Sequence, residues 1–383
     1  MTRPPGDRAA RVALGRLGEP GDARLAALVR ELGAEAVFAY LREERDLAGV
    51  ATDVAARLRG LDPERDLQRA AGLGIRFICP GDAEWPVRLS DLDHAETLNR
   101  RGGAPLGLWL RGVGRLDELC ERSVSVVGSR SATTYGASVA GQVAADVAAA
   151  GVTVVSGAAF GIDQAAHRGA LAGRGPTVAV LACGVDRAYP SAHRDLLTYI
   201  ADTGVVVGEL APGCAPTRLR FLARNRMIAA LSLGTVVVEA AVRSGALNTA
   251  NWASLLNRTV MGVPGPVTSA PSAGVHELLR TKAASLVTRG SDVLELVSPP
   301  GRYLSPPLRA AEEQRDRLSE HDQRVLDAVP VASAASAASL ARTAGIGERA
   351  VVEALQRLRS GGFVETSADL WRLDSRRHAE DQQ

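Results

Sequence analysis

Ser123-Val-Ser-Val-Val127 turns at once through Gly128-Ser129-Arg130; a polar-started, alanine-rich segment from about Thr134 to Ala150 then leads into Val152-Thr-Val-Val155 and Ser156-Gly157-Ala-Ala-Phe-Gly161-Ile-Asp163. A β-branched run, a glycine turn, a helical pattern and a second β-branched run spell a βαβ unit with parallel strands. In such sheets ligands sit outside the carboxyl ends of the strands, where helix N-termini offer free N–H groups. Both glycine loops fall at that edge, so they are expected to face one groove.

Working outward, short strands are expected at Ile75–Ile78, Leu106–Leu110, Val124–Val127, Val152–Val155, Val178–Leu181, Val205–Val207, Thr235–Val238 and Val260–Val263. Helical patterns lie between most of them, which predicts one α/β domain over residues 69–297, its largely parallel sheet covered on both faces. Residues 1–68 read as a domain of short helices. The turn Gly18-Glu19-Pro20-Gly21 is similar in form to the helix-hairpin-helix of DNA-binding modules, but Glu19 and Asp22 oppose a phosphate there and favour a plain packing role. Residues 298–318 form a linker, Pro-rich at Ser298–Pro307 and charged from Arg309 to Arg317. Helical patterns at His321–Val329, Ala337–Ala344 and Glu348–Arg359, with a hairpin at Phe363–Glu365 and Leu370–Leu373, make residues 319–374 a winged helix-turn-helix; 375–383 is a tail. The third helix of such a module often reads DNA. Here Arg349, Arg357 and Arg359 stand beside Glu348 and Glu353, so DNA and protein contact are both open.

Of the 383 residues 46% are hydrophobic and only 4% aromatic, which implies a core of Val, Leu and Ala. Lys282 is the single lysine among 45 basic residues. That bias fits either a GC-rich genome or a surface suited to phosphate, whose geometry the guanidinium fork matches. Net charge is +2, so an anion site has to be local. Cys79, Cys120, Cys183 and Cys214 form no Cys-x-x-Cys pair, which argues for a reducing compartment and against zinc or a disulfide frame. No apolar run approaches membrane-spanning length and no signal-peptide core opens the chain, so a cytoplasmic protein is expected.

Four segments carry candidate chemistry. Gly128, Ser129 and Arg130 place small residues and a cation at the first crossover, and Ser156, Gly157 and Gly161 repeat the small residues at the second; both suit close backbone approach to an anion. Arg224-Asn225-Arg226 reads as the start of an apolar helix, where cations oppose the dipole and so point to a bound anion. Glu239 through Thr249 reads as a strand end, a loop and a helix start containing Ser244 and Gly245. Glu239 either orients Arg130 or Arg226 by a charge-assisted bond or is a solvated loop acid. The Asp163/His167 spacing is better suited to fixing a helix than to catalysis. No catalytic residues, metal ligands or cofactor are expected, because no triad, paired carboxylates or Gly-x-Gly-x-x-Gly fingerprint accompanies a site for a leaving group or dinucleotide.

Taken together, Val126-Val-Gly-Ser-Arg130, Tyr135-Gly136, Ser156–Asp163, Ala166-His167, Ala170-Leu171, Tyr189-Pro190, Arg224-Asn225-Arg226, Val238-Glu239-Ala240, Ser244-Gly245 and Val263-Pro264-Gly265 resemble, in order, the DNA-processing protein DprA (Smf) family. The resemblance spans about residues 70 to 297. It implies an extended Rossmann-like domain flanked by an N-terminal SAM-like helical domain and a C-terminal winged helix. It also implies a binding protein rather than an enzyme: one that binds single-stranded DNA without sequence preference, protects it, forms a homodimer through the Rossmann-like domain and loads the recombinase RecA during natural transformation.

Carried over by motif, Arg130, Arg224 and Arg226 would grip phosphates, while Gly128, Ser129, Ser156, Gly157 and Gly161 supply backbone contacts. Asp163, Asn225, Glu239 and Ser244 would shape the pocket. Three positions depart from the pattern: Gly208-Glu209 replaces Ser-Glu, Gly274-Val275-His276 replaces Gly-x-Asn, and the groove has no evident lysine. Two other functions fit parts of the chain: a nucleotide phosphoribohydrolase on a Rossmann-like scaffold, which lacks its Pro-Gly-Gly-x-Gly-Thr signature here, and a duplex-DNA regulator acting through the winged helix.

Overall fold

The computed structural model describes residues 5–43, 60–303, 314–331 and 333–374, which divide into two compact units, Met1–Ser305 and Pro306–Gln383. The first is built on a nine-stranded sheet. Its strands are β1 (Ile75–Ile78), β2 (Leu108–Arg111), β3 (Ser123–Val127), β4 (Thr153–Ser156), β5 (Thr177–Leu181), β6 (Val205–Gly208), β7 (Gly234–Val237), β8 (Thr259–Gly262) and β9 (Ser285–Leu286). Their order in space is β1-β2-β6-β5-β4-β3-β7-β8-β9. The run from β6 to β9 is parallel, and β2 pairs antiparallel with both β1 and β6. All five β3 residues are buried, as expected for a central parallel strand covered on both faces.

From β3 the chain winds one way to β4, β5 and β6, then returns and continues the other way through β7, β8 and β9. β3 and β7 are adjacent, with Val124 to Val127 in register with Gly234 to Val237. The direction of winding therefore reverses beside β3, and the crevice outside that reversal is the default ligand position of an open α/β sheet.

α1 (Pro5–Leu17) and α4 (Pro63–Gly72) pack near β1, where Val12 and Ala70 join Ile75, Phe77 and Trp109 on the sheet face opposite to the one covered by α9 (Arg218–Ala230) and α10 (Gly245–Leu255). Met227, Ile228, Trp252 and Ala253 from these last two pack on Val127, Val155, Val180, Val207 and Val237. The other face is covered by α6 (Thr134–Ala149), α7 (Ile162–Ala172) and α12 (Gly290–Val297), packed on Val124, Val126, Val154 and Val236. Thr133 caps α6 by accepting from the Gly136 N–H, and Ser244 caps α10 by accepting from Ala246 N–H. α8 (Arg194–Thr203) packs near the β5–β6 end.

The expected strands are present, Ile75–Ile78 with the expected bounds and the others with ends shifted by at most two residues, and β9 is additional to them. The turn at Gly18–Gly21 joins α1 to α2 (Ala23–Leu32), which α3 (Ala34–Arg42) follows, and the short α5 (Leu116–Glu121) leads into β3. The Gly18–Gly21 turn does not present its backbone to a phosphate. Glu19 receives two hydrogen bonds from Arg220 at 2.8 and 2.9 Å, the Pro20 carbonyl accepts from Arg101, and the Gly21 carbonyl accepts from Gly102 N–H. The turn is a packing element seated on the first turn of α9.

The second unit holds α13 (Glu320–Ala328), α14 (Ala337–Ala344) and α15 (Glu348–Ser360). Its small sheet has the order β10 (Ala335–Ser336), β12 (Leu370–Leu373), β11 (Val364–Ser367). The three helices and the hairpin match the sequence expectation, with β10 added. Val325, Leu340, Val351, Leu355 and Leu358 form its core. Arg357 is tied to Asp322 at 2.7 Å and Arg349 to Glu353 at 3.4 Å, so two of the three arginines expected to face a partner are engaged within the unit. Most of the charged linker and the tail 375–383 lie outside the described residues.

Candidate nucleic-acid interface

A broad cleft of about 990 Å³ opens beside β3, bounded by the loops after β3, β4 and β7 and by the amino-terminal halves of α9 and α10. Of the residues singled out in the sequence, Gly128, Ser129, Arg130, Asp163, Arg224, Asn225, Ser244 and Gly245 line it. Ser156, Gly157, Gly161, Arg226 and Glu239 do not, and each has a different task.

Arg226 is wholly buried, and its guanidinium makes a bidentate pair with Glu209, both bonds 2.7 Å, while also donating to the Gly103 and Ala223 carbonyls. In this structure it is engaged as a cation inside the fold, away from the cleft lining. The reason is its position. α9 begins at Arg218 under the cap of Thr217, so Arg224, Asn225 and Arg226 sit in the helix's middle turns rather than at its N-terminus. Successive helical residues point about 100° apart, so Arg224 and Arg226 cannot share one direction.

Glu239 meets neither arginine nor solvent. Its buried carboxylate accepts from the Thr133 N–H at 3.0 Å and from the Thr133 hydroxyl at 2.5 Å, which holds the α6 cap in place.

The glycine loops also behave differently from a phosphate cradle. In the second, the Ser156 hydroxyl donates to the Val126 carbonyl, and the N–H groups of Gly157 and Ala159 point at the Asp163 carboxylate. That loop is wrapped around an anion of its own chain. Gly157 leaves the room that Arg224 occupies: a methyl there would overlap the Nη1 atom. Gly161, at φ +76°, brings the second loop against the Ser129 and Arg130 carbonyls, where a β-carbon would collide. In the first loop the Ser129 N–H donates to the Glu239 carbonyl at 2.7 Å.

The positive charge at the cleft is therefore carried by side chains. Arg130, Arg218 and Arg243 are exposed and form no ion pair or side-chain hydrogen bond with any described residue. The last two are not among the sequence candidates. A helix read as starting near Arg224 leaves Arg218 in a loop, and Val242-Arg243 has the pattern of an ordinary loop. Phe221, one of few aromatics near the groove, lines the cleft with Arg130 stacked on its ring at 4.5 Å and Tyr189 tilted against it at 5.7 Å.

Beneath them Arg224 is only 7% exposed, and its Nη1 stands 3.8 Å from Asp163, too far for a hydrogen bond. Its Nε and Nη1 have no hydrogen-bond partner. Burial holds the guanidinium below its ordinary pKa and the Asp163 carboxyl above its own, each opposed by the other's charge. Asn225 donates to the Asn248 side chain and the Gly245 carbonyl, tying α9 to α10.

Asp163 and His167 form no catalytic pair. His167 is wholly buried and bonds Thr177 through Nδ1 at 2.8 Å; burial pushes its pKa down to about 3. The departing His276 bonds the Gly265 carbonyl at 3.0 Å, fastening α11 (Ala273–Arg280) to the loop after β8. Among the described residues no group of three or more His, Cys, Asp or Glu is placed to hold a metal, and all four cysteines are free thiols. No helix among them is long and apolar enough to cross a membrane.

A sheet wound both ways from β3, with arginines lining the cleft at the reversal, defines a Rossmann-like α/β protein. The sequence model of the family described as DNA recombination-mediator protein A matches residues 76–298. A DprA-named protein of Mycobacterium tuberculosis is 44% identical over 369 residues, 94% of this chain and 92% of its own length. The DNA processing protein DprA of Streptococcus pneumoniae is 41% identical over 191 residues, 50% of this chain and 66% of its own. The X-ray structure of DprA from Streptococcus pneumoniae superposes with a TM-score of 0.63 at 30% identity, covering 78% of this chain and 99% of that one. The chain belongs to the DNA recombination-mediator protein A (DprA/Smf) family, whose members are recombination mediators rather than enzymes.

Proposed function

We propose that the chain binds single-stranded DNA without sequence preference in the cleft beside β3, protects it, and hands it to a RecA-type recombinase, acting as a homodimer through the Rossmann-like domain. The observation that carries the reading is the set Arg130, Arg218 and Arg243: three exposed, uncommitted guanidinium groups around a cleft of about 990 Å³. Cations spaced along an open groove suit the repeated charge of a backbone, while Phe221 and Tyr189 offer π-faces that any base can use. Arg224 completes the set from below, since a phosphate oxygen would satisfy N–H groups that are now unpartnered. Of the thirteen sequence candidates, the eight that line the cleft are assigned to DNA contact or its immediate support, and the other five to the scaffold.

The test is a salt titration of oligo-dT binding. Affinity should fall with salt at a slope near −0.7 per neutralised phosphate. Arg130→Ala with Arg218→Ala should lower both affinity and slope. Binding that is indifferent to salt, or to these substitutions, removes the cleft from the DNA path.

A further inference from the structure

A second cavity, of about 560 Å³, lies outside the carboxyl end of β5 and is separate from the cleft just described. Its floor is apolar, from Val185, Leu197 and Val206, and its walls carry Arg111, Arg187 and Arg194. None of the three arginines forms an ion pair or side-chain hydrogen bond with any described residue. Asp186 is also at this wall, but its carboxylate accepts twice from the Gly213 N–H, at 2.9 and 3.0 Å. Arg194 opens the ten-residue helix α8, whose N-terminal dipole end adds to the positive field.

The two cavities share a wall. In the segment Arg187-Ala188-Tyr189, Arg187 and Ala188 line the second cavity, while Tyr189 lines the first and packs on Phe221. Tyr189 is 43% exposed, so it forms a low ridge with one cation cluster on each side.

We infer that the second cavity is a further anion-binding compartment on the same track: a single strand filling the first cleft crosses Tyr189 and lays successive phosphates on Arg187, Arg194 and Arg111. This rests on the proposed function. Three like charges left unpaired around one hollow repel each other and favour a bound polyanion. The open, apolar floor carries no hydrogen-bonding array for reading a base, which fits sequence-indifferent contact. The occupant this geometry favours is a continuing sugar-phosphate backbone. A separate mononucleotide would use the same phosphate chemistry.

The experiment compares oligo-dT of about 5 nucleotides, near the short end of single-strand site sizes, with oligo-dT of about 20, beyond their long end. It uses the full chain, the triple variant Arg111→Ala/Arg187→Ala/Arg194→Ala and the cleft variant Arg130→Ala. The triple variant should bind the short oligomer as the parent does, yet bind the long one more weakly. Its salt slope should fall by up to about 2, at about 0.7 for each phosphate that is no longer neutralised. Its melting curve should match the parent's, because no ion pair is removed.

Unchanged binding of the long oligomer by the triple variant overturns the inference while leaving the cleft reading intact. Equal loss for both lengths overturns it as well, since the second cavity would then belong to the primary site. If Arg130→Ala fails to weaken the short oligomer, the cleft reading is what falls. Calorimetric binding of dTMP, abolished in the triple variant while long oligomers bind normally, makes the cavity a separate small-anion site and also overturns the inference.

Discussion

The guanidinium carbon of Arg130 stands 4.5 Å from the centre of the Phe221 ring, joining the loop after β3 to the first helical turns of the segment after β6. Arg130 has no carboxylate partner among the described residues, so the ring is what holds its long side chain in place. A cation held over an aromatic face presents charge and a stacking surface together, which single-strand binding uses side by side. The first prediction is that Arg130→Ala lowers the salt slope of oligo-dT binding by about 0.7 and Arg130→Lys leaves it near the parent value. Phe221→Ala should cost about 1–3 kcal/mol in affinity, the range for losing one stacked base, with little change in slope. Fluorescence anisotropy across a salt series reads both quantities; a slope lost in Phe221→Ala but kept in Arg130→Ala would reverse the assignment.

Arg226 stands two residues from Arg224 and carries the opposite expectation. It is wholly buried against Glu209, whose side chain is 16% exposed. Removing one partner of a buried pair costs roughly 3–5 kcal/mol, because the other charge is left uncompensated. Arg226→Ala and Glu209→Ala should therefore each lower the urea midpoint of the first unit substantially, whereas Arg130→Ala leaves it unchanged. Weaker DNA binding by Arg226→Ala, with normal stability, would return this residue to the interface.

The fold is legible in the sequence because periodicity and turn chemistry are local. The run Ser123–Val127, the glycine turn and the alanine-rich helix announce β3 and α6 without help from the rest of the chain. The site is legible only in part, because which way a side chain points depends on where its helix begins. Thr217 caps α9 four residues upstream of Phe221, and Pro216 does not mark that start unambiguously. A later start places Arg224 and Arg226 at the helix end and hides Arg218. Glu239 shows a different limit: Thr133 lies 106 residues away in sequence, so no spacing rule could pair them. The same holds for Asp163, whose role as the internal anion of its own loop depends on Gly157 and Ala159 turning their N–H groups inward.

Gly157 yields a third prediction from that inward turn. Its missing side chain is the space in which the Arg224 guanidinium lies, beside Asp163. Gly157→Ala should displace Arg224, weaken oligo-dT binding and lower thermal stability together, while Gly15→Ala, with open space around its added methyl and away from the cleft, should do neither. A Gly157→Ala protein with parental melting and parental affinity would remove Arg224 from the site.

His167 yields a fourth prediction, for the acid side of the first unit's stability. The Thr177 hydroxyl donates to the Val154 carbonyl at 2.7 Å, so it accepts from His167, which places the imidazole proton on Nδ1 and leaves Nε2 bare and without a partner. Protonating Nε2 would bury an unpaired charge, and burial accordingly holds the pKa near 3 against an ordinary 6.5. Below about pH 6.5 the unfolded chain binds a proton that the folded chain refuses. Stability should therefore fall by about 1.4 kcal/mol per pH unit on acidification towards the folded value. Asp163 works in the other direction, because its pKa is raised in the fold: its carboxyl takes up a proton sooner when folded, so it offsets part of the loss in the lower part of that window. His167→Asn can keep the hydrogen bond to Thr177 with a group that does not titrate. Urea unfolding of a Trp371→Phe chain, followed by the remaining tryptophans Trp85, Trp109 and Trp252, reports the first unit alone. The slope between about pH 6.5 and 4.5 should flatten in His167→Asn; an unaltered slope would assign the acid sensitivity to another group.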